Sequence, residues 1–407
     1  MGLTFTRMEG KSRGFYMLVA ILAVLSLLGF VGFMISYIEG HQVLGTSNAI
    51  PWGMPIVIAI YLIGLSAGLH ILAFLIHILG RKEWKPVIRM AVYLAIVLIF
   101  GAMLSIALDV GRPEKVWRLF MFFYLNNMTS MFAMNAIFYS CYLVAASIYL
   151  MTLFADKEKL SKIMGMVAFC WAMLTHGGTG LIFGMIVARG PWFSSLRPFE
   201  FIMAALTSSL ALLAVVIVVI FRFTQRQARN ELVVSLGKLV AGFLCGLLLL
   251  IWVGELTHAY IPDHKASTFM LTGPFSRLFW IFQVILGEGI PLFILFHPGL
   301  GKKVKGVVTA CALIVIGVFF ERFYLVLAGL AYPLSYFPGK IEGLYGAIGF
   351  YPLTPVESMI SVGMFAFMGF VFILGLKYLE LLPAKDGPEG TPEQKAIGKG
   401  KGGHEER

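Results

Sequence analysis

Eight ionisable residues stand out within, or just past the ends of, long apolar stretches of this 407-residue chain: His70, Asp109, His176, Glu255, His258, Glu288, Glu321 and Arg322. A charge at bilayer depth costs about 2.5–3.5 kcal/mol on insertion scales, so such residues are functional candidates by default. His176 is the sharpest of them. It stands in Thr175-His176-Gly177-Gly178-Thr179-Gly180, where glycines remove side chains beside an imidazole and leave room for a flat ligand. An imidazole there can hydrogen-bond a quinone carbonyl and exchange a proton with it near neutral pH. The competing reading is a buried histidine bonded to a neighbouring helix.

Asp109 opens Asp109-Val110-Gly111-Arg112-Pro113 at the end of an apolar stretch. Asp109 and Arg112 can pair there, and Pro113 can begin a short surface helix. The plain reading is a cap with an ion pair. The chemical reading is a proton-accepting carboxylate at the mouth of a pocket. Asn135 and Tyr139 are four apart and share a helix face. Trp52, Asn135, Tyr139, Arg112 and His176 are the candidate pocket residues, with His176 and Asp109 as the reacting pair. His70, Ser105, Tyr142 and Thr175 are candidate steps of a proton route from the other side.

A second polar cluster is expected from Glu255, His258, Glu288 and Glu321. Glu255 and His258, three apart, share a face. Carboxylate–histidine pairs of this kind bind two metals in helical bundles, but only with a second such pair and further glutamates. One pair is present, so no metal is expected. Glu321 and Arg322 are neighbours whose side chains diverge on a helix, and need not pair. His77, Glu200, Lys238 and Glu357 lie nearer the ends of apolar stretches, where they can snorkel or cap. The four cysteines, Cys141, Cys170, Cys245 and Cys311, form no C-x-x-C pair and read as buried small hydrophobes. A haem held by His70 and His176 on facing helices is a weaker alternative.

The elements that must position these residues follow from composition. Hydrophobic residues make up 59% of the chain and charged residues 13%, against roughly 25% charged in a soluble domain. Mean hydropathy is +0.87. Water is therefore not the solvent for most of the chain, which excludes a cytosolic enzyme, a nucleic-acid binder and a disulfide-stapled secreted domain. Ten apolar stretches are long enough to span, near 15–37, 54–80, 88–108, 130–154, 162–187, 200–223, 233–256, 275–297, 304–331 and 359–380. They are read as helices, since only helices or closed barrels satisfy the backbone in lipid. The first lacks a small-x-small cleavage site and reads as a retained anchor.

Of the 32 Lys and Arg, 23 fall in the termini, in alternate loops or at Lys238. The positive-inside bias puts both termini in the cytoplasm. The other loops are longer and rich in Pro, Gly, Trp, Tyr and Phe, which suits a docked partner or an interface belt. The fold expected is an all-α integral membrane protein of about ten transmembrane helices. Two pseudo-repeated four-helix bundles, about 54–187 and 200–331, carry two flanking helices. Residues 1–14 form a cytoplasmic N-terminal segment, 15–380 the membrane domain and 381–407 a disordered cytoplasmic tail. Gly64-x-x-x-Gly68 and Gly242-x-x-x-Gly246 are expected at close helix contacts.

Asp109-Val110-Gly111-Arg112-Pro113, Trp52-Gly53-Met54-Pro55 and the stretch from Pro191 to Phe199 together resemble the NrfD/PsrC family of quinone-interacting membrane subunits. The likeness runs from about 15 to 380 and is greatest to the DsrP branch, with QrcD and HmcC as related branches. His176 falls where subunits of alternative complex III carry a histidine. Those relatives carry an Asp several residues later, where this chain reads Leu181-Ile182-Phe183-Gly184. The resemblance implies a menaquinone site near the outer face and a docked ferredoxin-like iron–sulfur subunit. It also implies cytochrome and heterodisulfide-reductase-like subunits of a DsrMKJOP-type complex in sulfur metabolism. No haem or iron–sulfur cluster is expected on the chain itself, nor any nucleic acid. Two other readings stand beside this one: a structural anchor without an active quinone site, and an ion or solute carrier.

Overall fold

A backbone in lipid has no water to bond, so each apolar stretch must satisfy its own amides by coiling. The computed structural model describes residues 4–126, 129–226, 230–260, 265–332 and 350–384. Among them, ten helices are long and apolar enough to cross a membrane.

The first crossing is α1 (Arg13–Glu39). The second is α2 (Met54–Ala67), a 3₁₀ turn at Gly68–His70 and α3 (Ile71–His77). The third is α4 (Ile88–Asp109), followed by a surface helix, α5 (Trp117–Asn126). Then come α6 (Met131–Phe154), α7 (Glu158–Gly184), α8 (Arg197–Phe223) and α9 (Asn230–Tyr260). After the short α10 (Lys265–Thr272), the eighth crossing is a π-helix over Leu278–Gly289 continued by α11 (Ile290–Phe296). The last two are α12 (Val304–Ala331) and α13 (Pro355–Tyr378). The 3₁₀ turn and the π segment were not legible as breaks in the apolar pattern.

The second crossing is the axis. Every residue from Pro55 to His70 is buried. A helix apolar on all sides demands neighbours on all sides. It packs on α4, α7, α8, α12 and α13. Its own group with α4, α6 and α7 meets a second group of α8, α9, the π segment with α11, and α12, chiefly where α2 and α7 meet α8. By contrast α1 buries only Gly29, Gly32 and Ser36, and these face α13. A Cβ at Gly29 would lie 2.6 Å from the Gly363 Cα, so that clasp needs both glycines.

Both ends of the described chain reach one face. Phe5–Thr6 pairs antiparallel with Leu382–Pro383, and Leu381 and Leu382 are buried. Arg226 ties the pair down, donating to the carbonyls of Pro383 and Arg7 and to Thr6 Oγ1. This corrects the tail boundary. Residues 381–384 belong to the folded body because they carry two leucines that need cover. The rest of the tail, from 385, lies outside the described residues, as do Asp263, His264 and most of the loop 332–349. Cys170 and Cys245 are exposed rather than buried, since lipid tolerates a thiol as well as a core does.

The two small-residue motifs part company. Gly68 abuts Ser209 Oγ and the Ala205 carbonyl of α8, with no room for a Cβ. Gly242 has open space around it, and Gly246 meets only the flexible end of Met203. Gly68→Ala should therefore lose about 1–3 kcal/mol through overpacking, while Gly242→Ala should be neutral. Thermal melting of the detergent-solubilised protein, run on both variants, checks the contrast.

Candidate functional site

The amino end of α2 carries no side-chain cap of its own, because Gly53 holds that position. Its cap comes from the far end of the sequence. Glu357, fully buried on α13, accepts from Met54 N at 2.7 Å and Gly45 N at 3.3 Å. Tyr351 donates its hydroxyl to Glu357 Oε1 and accepts from Met54 N at 2.9 Å. Burial first, and the charge of Glu357 second, push the Tyr351 phenol above its usual range, so it stays a donor. A carboxylate at a helix N-terminus is also favoured by the helix dipole.

Asp109 ends α4 beside this cap. It is buried, and its Oδ1 has no hydrogen-bond partner in the chain. Gly111 follows with φ +75°, a left-handed conformation that suits glycine. A Cβ there would also lie 2.9 Å from His41 Nε2. Pro113 does begin a short 3₁₀ turn, Pro113–Lys115. The expected Asp109–Arg112 ion pair does not form. Arg112 is exposed, because the turn at Gly111 carries it away from the buried carboxylate.

From this face an aromatic column leads inward. Trp52 stacks on Trp192 with ring centroids 5.7 Å apart and on Phe132 at 6.4 Å. Phe183 stands edge-on to both tryptophans and stacks on Phe201 at 5.7 Å. Phe201 lies 5.2 Å from the His176 ring. Trp192 is pinned by its Nε1–H, which donates to the Leu325 carbonyl at 2.7 Å. That loop residue packs into its own chain.

His176 is fully buried at the inner end of the column. Its ring sits against Gly64, where a Cβ would come within 3.1 Å of His176 Cε1. The Phe201 backbone runs past the ring, yet neither ring nitrogen meets hydrogen-bond geometry. Buried polar atoms left unbonded cost about 1–3 kcal/mol each, so they invite a functional explanation. His176 does not share one small pocket with Asp109. Gly64 lies roughly 16 Å along α2 from the Gly53 end, at 1.5 Å per residue.

The other expected residues divide. Asn135 donates to the carbonyls of Gly178 and Met131, and its Oδ1 is unbonded. Tyr139 bonds Thr179 at 2.9 Å. Both therefore brace α6 against the glycine-rich stretch of α7. Ser105 donates to the Pro55 carbonyl and Thr175 to that of Phe138, so these two hydroxyls are not brought next to His70. Tyr142 does bond His70 Nδ1 at 2.9 Å, and also Ser66 Oγ at 2.9 Å. Below them His77 bonds Tyr149 at 3.0 Å, and the Tyr149 ring lies 6.3 Å from His70. A polar line His77–Tyr149–His70–Tyr142–Ser66 thus climbs from the face of the chain ends to within a turn of Gly64. Ser66 and Tyr149 were missed because a serine or tyrosine in an apolar run carries no sequence signal of its partner.

The second cluster does assemble among α8, α9, the π segment and α12. Glu255 and Glu321 line one small cavity with Arg197, Glu200 and Gln283. Glu288 stands behind Gln283, which donates to it at 3.5 Å. His258 is not among the lining residues. Glu321 and Arg322, which helical geometry does not require to pair, do so at 3.0 Å. Both side chains are long enough to curl together. Among the described residues, no three His, Cys, Asp or Glu side chains converge as metal ligands.

A family model described as "Polysulphide reductase, NrfD" matches residues 42–333. An Hdr-like menaquinol oxidoreductase integral membrane subunit of Archaeoglobus fulgidus is 36% identical, covering 95% of this chain and 98% of its own. A selenate reductase subunit of Mesobacillus selenatarsenatis is 26% identical over 89% and 93% of the two chains. The menaquinone reductase integral membrane subunit of Nitratidesulfovibrio vulgaris is 24% identical over 85% and 86%.

Glu357→Ala removes the shared acceptor of two backbone amides and one phenol. At about 1–3 kcal/mol for each buried donor left unpaired, it should be among the most destabilising single changes, and Glu357→Gln should recover part of the loss. Melting temperatures of the two variants test this ordering.

Proposed function

Because the chain belongs to the NrfD family, we propose that it is the quinone-reactive membrane subunit of a respiratory redox complex. In this reading it binds menaquinone near the outer face and exchanges electrons with an iron–sulfur subunit docked there. The observation that carries the site is Asp109, a buried carboxylate with a free oxygen at the membrane boundary, close to the start of α2 and the aromatic wall of Trp52, Phe132 and Trp192. The donor set suits such a ligand. Stacked aromatic faces accept a flat ring system, and a carboxyl group can donate to or accept from a quinone oxygen. Arg112, exposed at the lip, supplies positive charge to the head group or to the docked subunit.

Menaquinone, when bound, supplies a couple of two electrons and two protons. The residues of this chain bind it, orient it and handle protons. Asp109 exchanges a proton at the mouth. His176, with both nitrogens unbonded, sits between the aromatic column and the polar line from His77 to Ser66. That placement supports a proton route from the cytoplasmic side toward the site, with Asn135, Tyr139 and Thr175 holding α6 and α7 in register beside it. The biased distribution of Lys and Arg supports cytoplasmic termini in the cell membrane. The likeness to an Hdr-like menaquinol oxidoreductase subunit supports a place in a menaquinol-oxidising complex; heterodisulfide-reductase-like and cytochrome subunits of a DsrMKJOP-type assembly in dissimilatory sulfur metabolism are the partners this reading proposes.

A fluorescence-quench titration of the purified complex with a quinol-analogue inhibitor tests the reading. Saturation near one equivalent is expected in the wild type. Asp109→Asn should weaken it about tenfold, or about 1.4 kcal/mol. His176→Ala should bind nearly as well yet slow quinol oxidation. No binding to a well-assembled wild type would sink the quinone reading in favour of an anchor, and ion flux without quinone would point to a carrier.

A further inference from the structure

Four carboxyl groups and two guanidinium groups meet in the second helix group, below the outer ends of α8 and α9. Arg197 pairs with Glu200 at 2.7 Å, and Arg322 with Glu321 at 3.0 Å. Glu255 and Glu288 are left without a cation of their own. Glu288 is buried, and its one hydrogen bond is a long one, from the Gln283 amide at 3.5 Å. An ionised carboxylate in that setting costs several kcal/mol.

The backbone brings the helices that carry Glu288 and Glu321 together. A Cβ at Gly287 would lie 2.8 Å from the Gly317 Cα, so the π segment and α12 touch there. Glu288 follows Gly287 directly, and Glu321 is one turn beyond Gly317 on the same face. The π geometry, with its i→i+5 bonds, stacks Gln283 over Glu288.

The cavity beside them has a volume of about 30 Å³. A water needs about 10–15 Å³, so the cavity has room for about two waters. Gln283 Oε1 and Glu321 Oε2, both on residues that line it, have no partner in the chain. Just behind, Glu288 Oε2 and two Arg322 nitrogens are also unpartnered. Gln283 is 5% exposed. Acceptors and donors gathered round a space of water size are what bridging water requires. Glu255, only partly buried near the end of α9, lines the side toward the outer face. Tyr324 also faces the cavity, with its hydroxyl donated to the Met270 carbonyl. From α7, His176 faces the group only through Phe201, whose ring lies 4.0 Å from the Arg322 guanidinium.

We propose that this cavity is a hydrated proton-exchange site, separate from the quinone mouth, in which Glu288 and Glu321 hold a proton delivered through water past Glu255 and Glu200. Its ligand is a proton with one or two waters. The transfer moves a proton between carboxyl oxygens and water and changes no oxidation state.

Infrared difference spectra of the intact complex, recorded over a pH series without quinone turnover, test it. The wild type should show a carboxylic-acid carbonyl band that responds to pH and shifts on exchange into D₂O. The band should vanish in Glu288→Gln and move in Glu321→Gln, while Asp109→Asn leaves it in place. A band that does not exchange with D₂O would mark a dry, structural acid and overturn the proposal. So would a wild-type spectrum without any such band once the Asp109 contribution is subtracted, or one unchanged in both glutamine variants. The wild-type titration needs no variant to fold. It is also independent of inhibitor binding, so it can fail while the quinone reading stands.

Discussion

A helix that is apolar on every side can exist only where something covers every side, and α2 imposes that condition on the whole molecule. Its burial fixes which helices surround it, and their crossings fix where glycine is needed. Gly64 and Gly68 are one turn apart on the same face. One makes room for an imidazole of α7, the other for the α8 backbone. Packing and chemistry thus draw on the same few small residues. A side chain at Gly64 would press on His176, and one at Gly68 would push the two helix groups apart.

Lipid is an unforgiving solvent for polar atoms, and the structure sorts them accordingly. Most buried hydroxyls bond a carbonyl one turn back or on a neighbouring helix, as Ser66, Ser105 and Ser208 do. Glu357 is satisfied three times over. Against that background the unbonded atoms of Asp109, His176, Glu288, Glu321 and Arg322 stand apart. They fall in three places: the mouth, the inner end of the aromatic column, and the water-sized cavity of the second group. Phe201 lies between the last two, with an imidazole on one side and a guanidinium on the other.

The ten crossings were legible because twenty apolar residues in a row have few alternatives. Three acids of the second cluster, Glu255, Glu288 and Glu321, were noticed because buried acids are rare, whereas Glu200 read as an end-of-stretch residue and Arg197 and Gln283 carried no signal. Partners were not. Glu357 read as an end-of-helix residue, yet it caps a helix about 300 residues earlier in the chain. Arg112 read as the mate of Asp109, until the positive φ of Gly111 turned it outward. Residue type shows that a polar group needs a partner, whereas only the packing of distant helices decides which one. The π segment was hidden for a related reason: Leu278–Gly289 has ordinary helical composition, and its widened turn answers to the Gly287–Gly317 contact.

The clasp between the first and last crossings bears on biosynthesis. A ribosome delivers α1 to the membrane first and α13 last, with the whole of the chain between them. Until α13 arrives, Gly29 and Gly32 face lipid, and the amino end of α2 has no carboxylate to close it. Phe5 and Thr6 wait equally long for Leu382 and Pro383. The central helix is therefore inserted early but finished late, and the order of synthesis is the reverse of the order of structural dependence. The mouth at Asp109 beside that helix takes its final shape only when the tenth crossing docks, so a partially translated chain holds the parts of that mouth without the mouth.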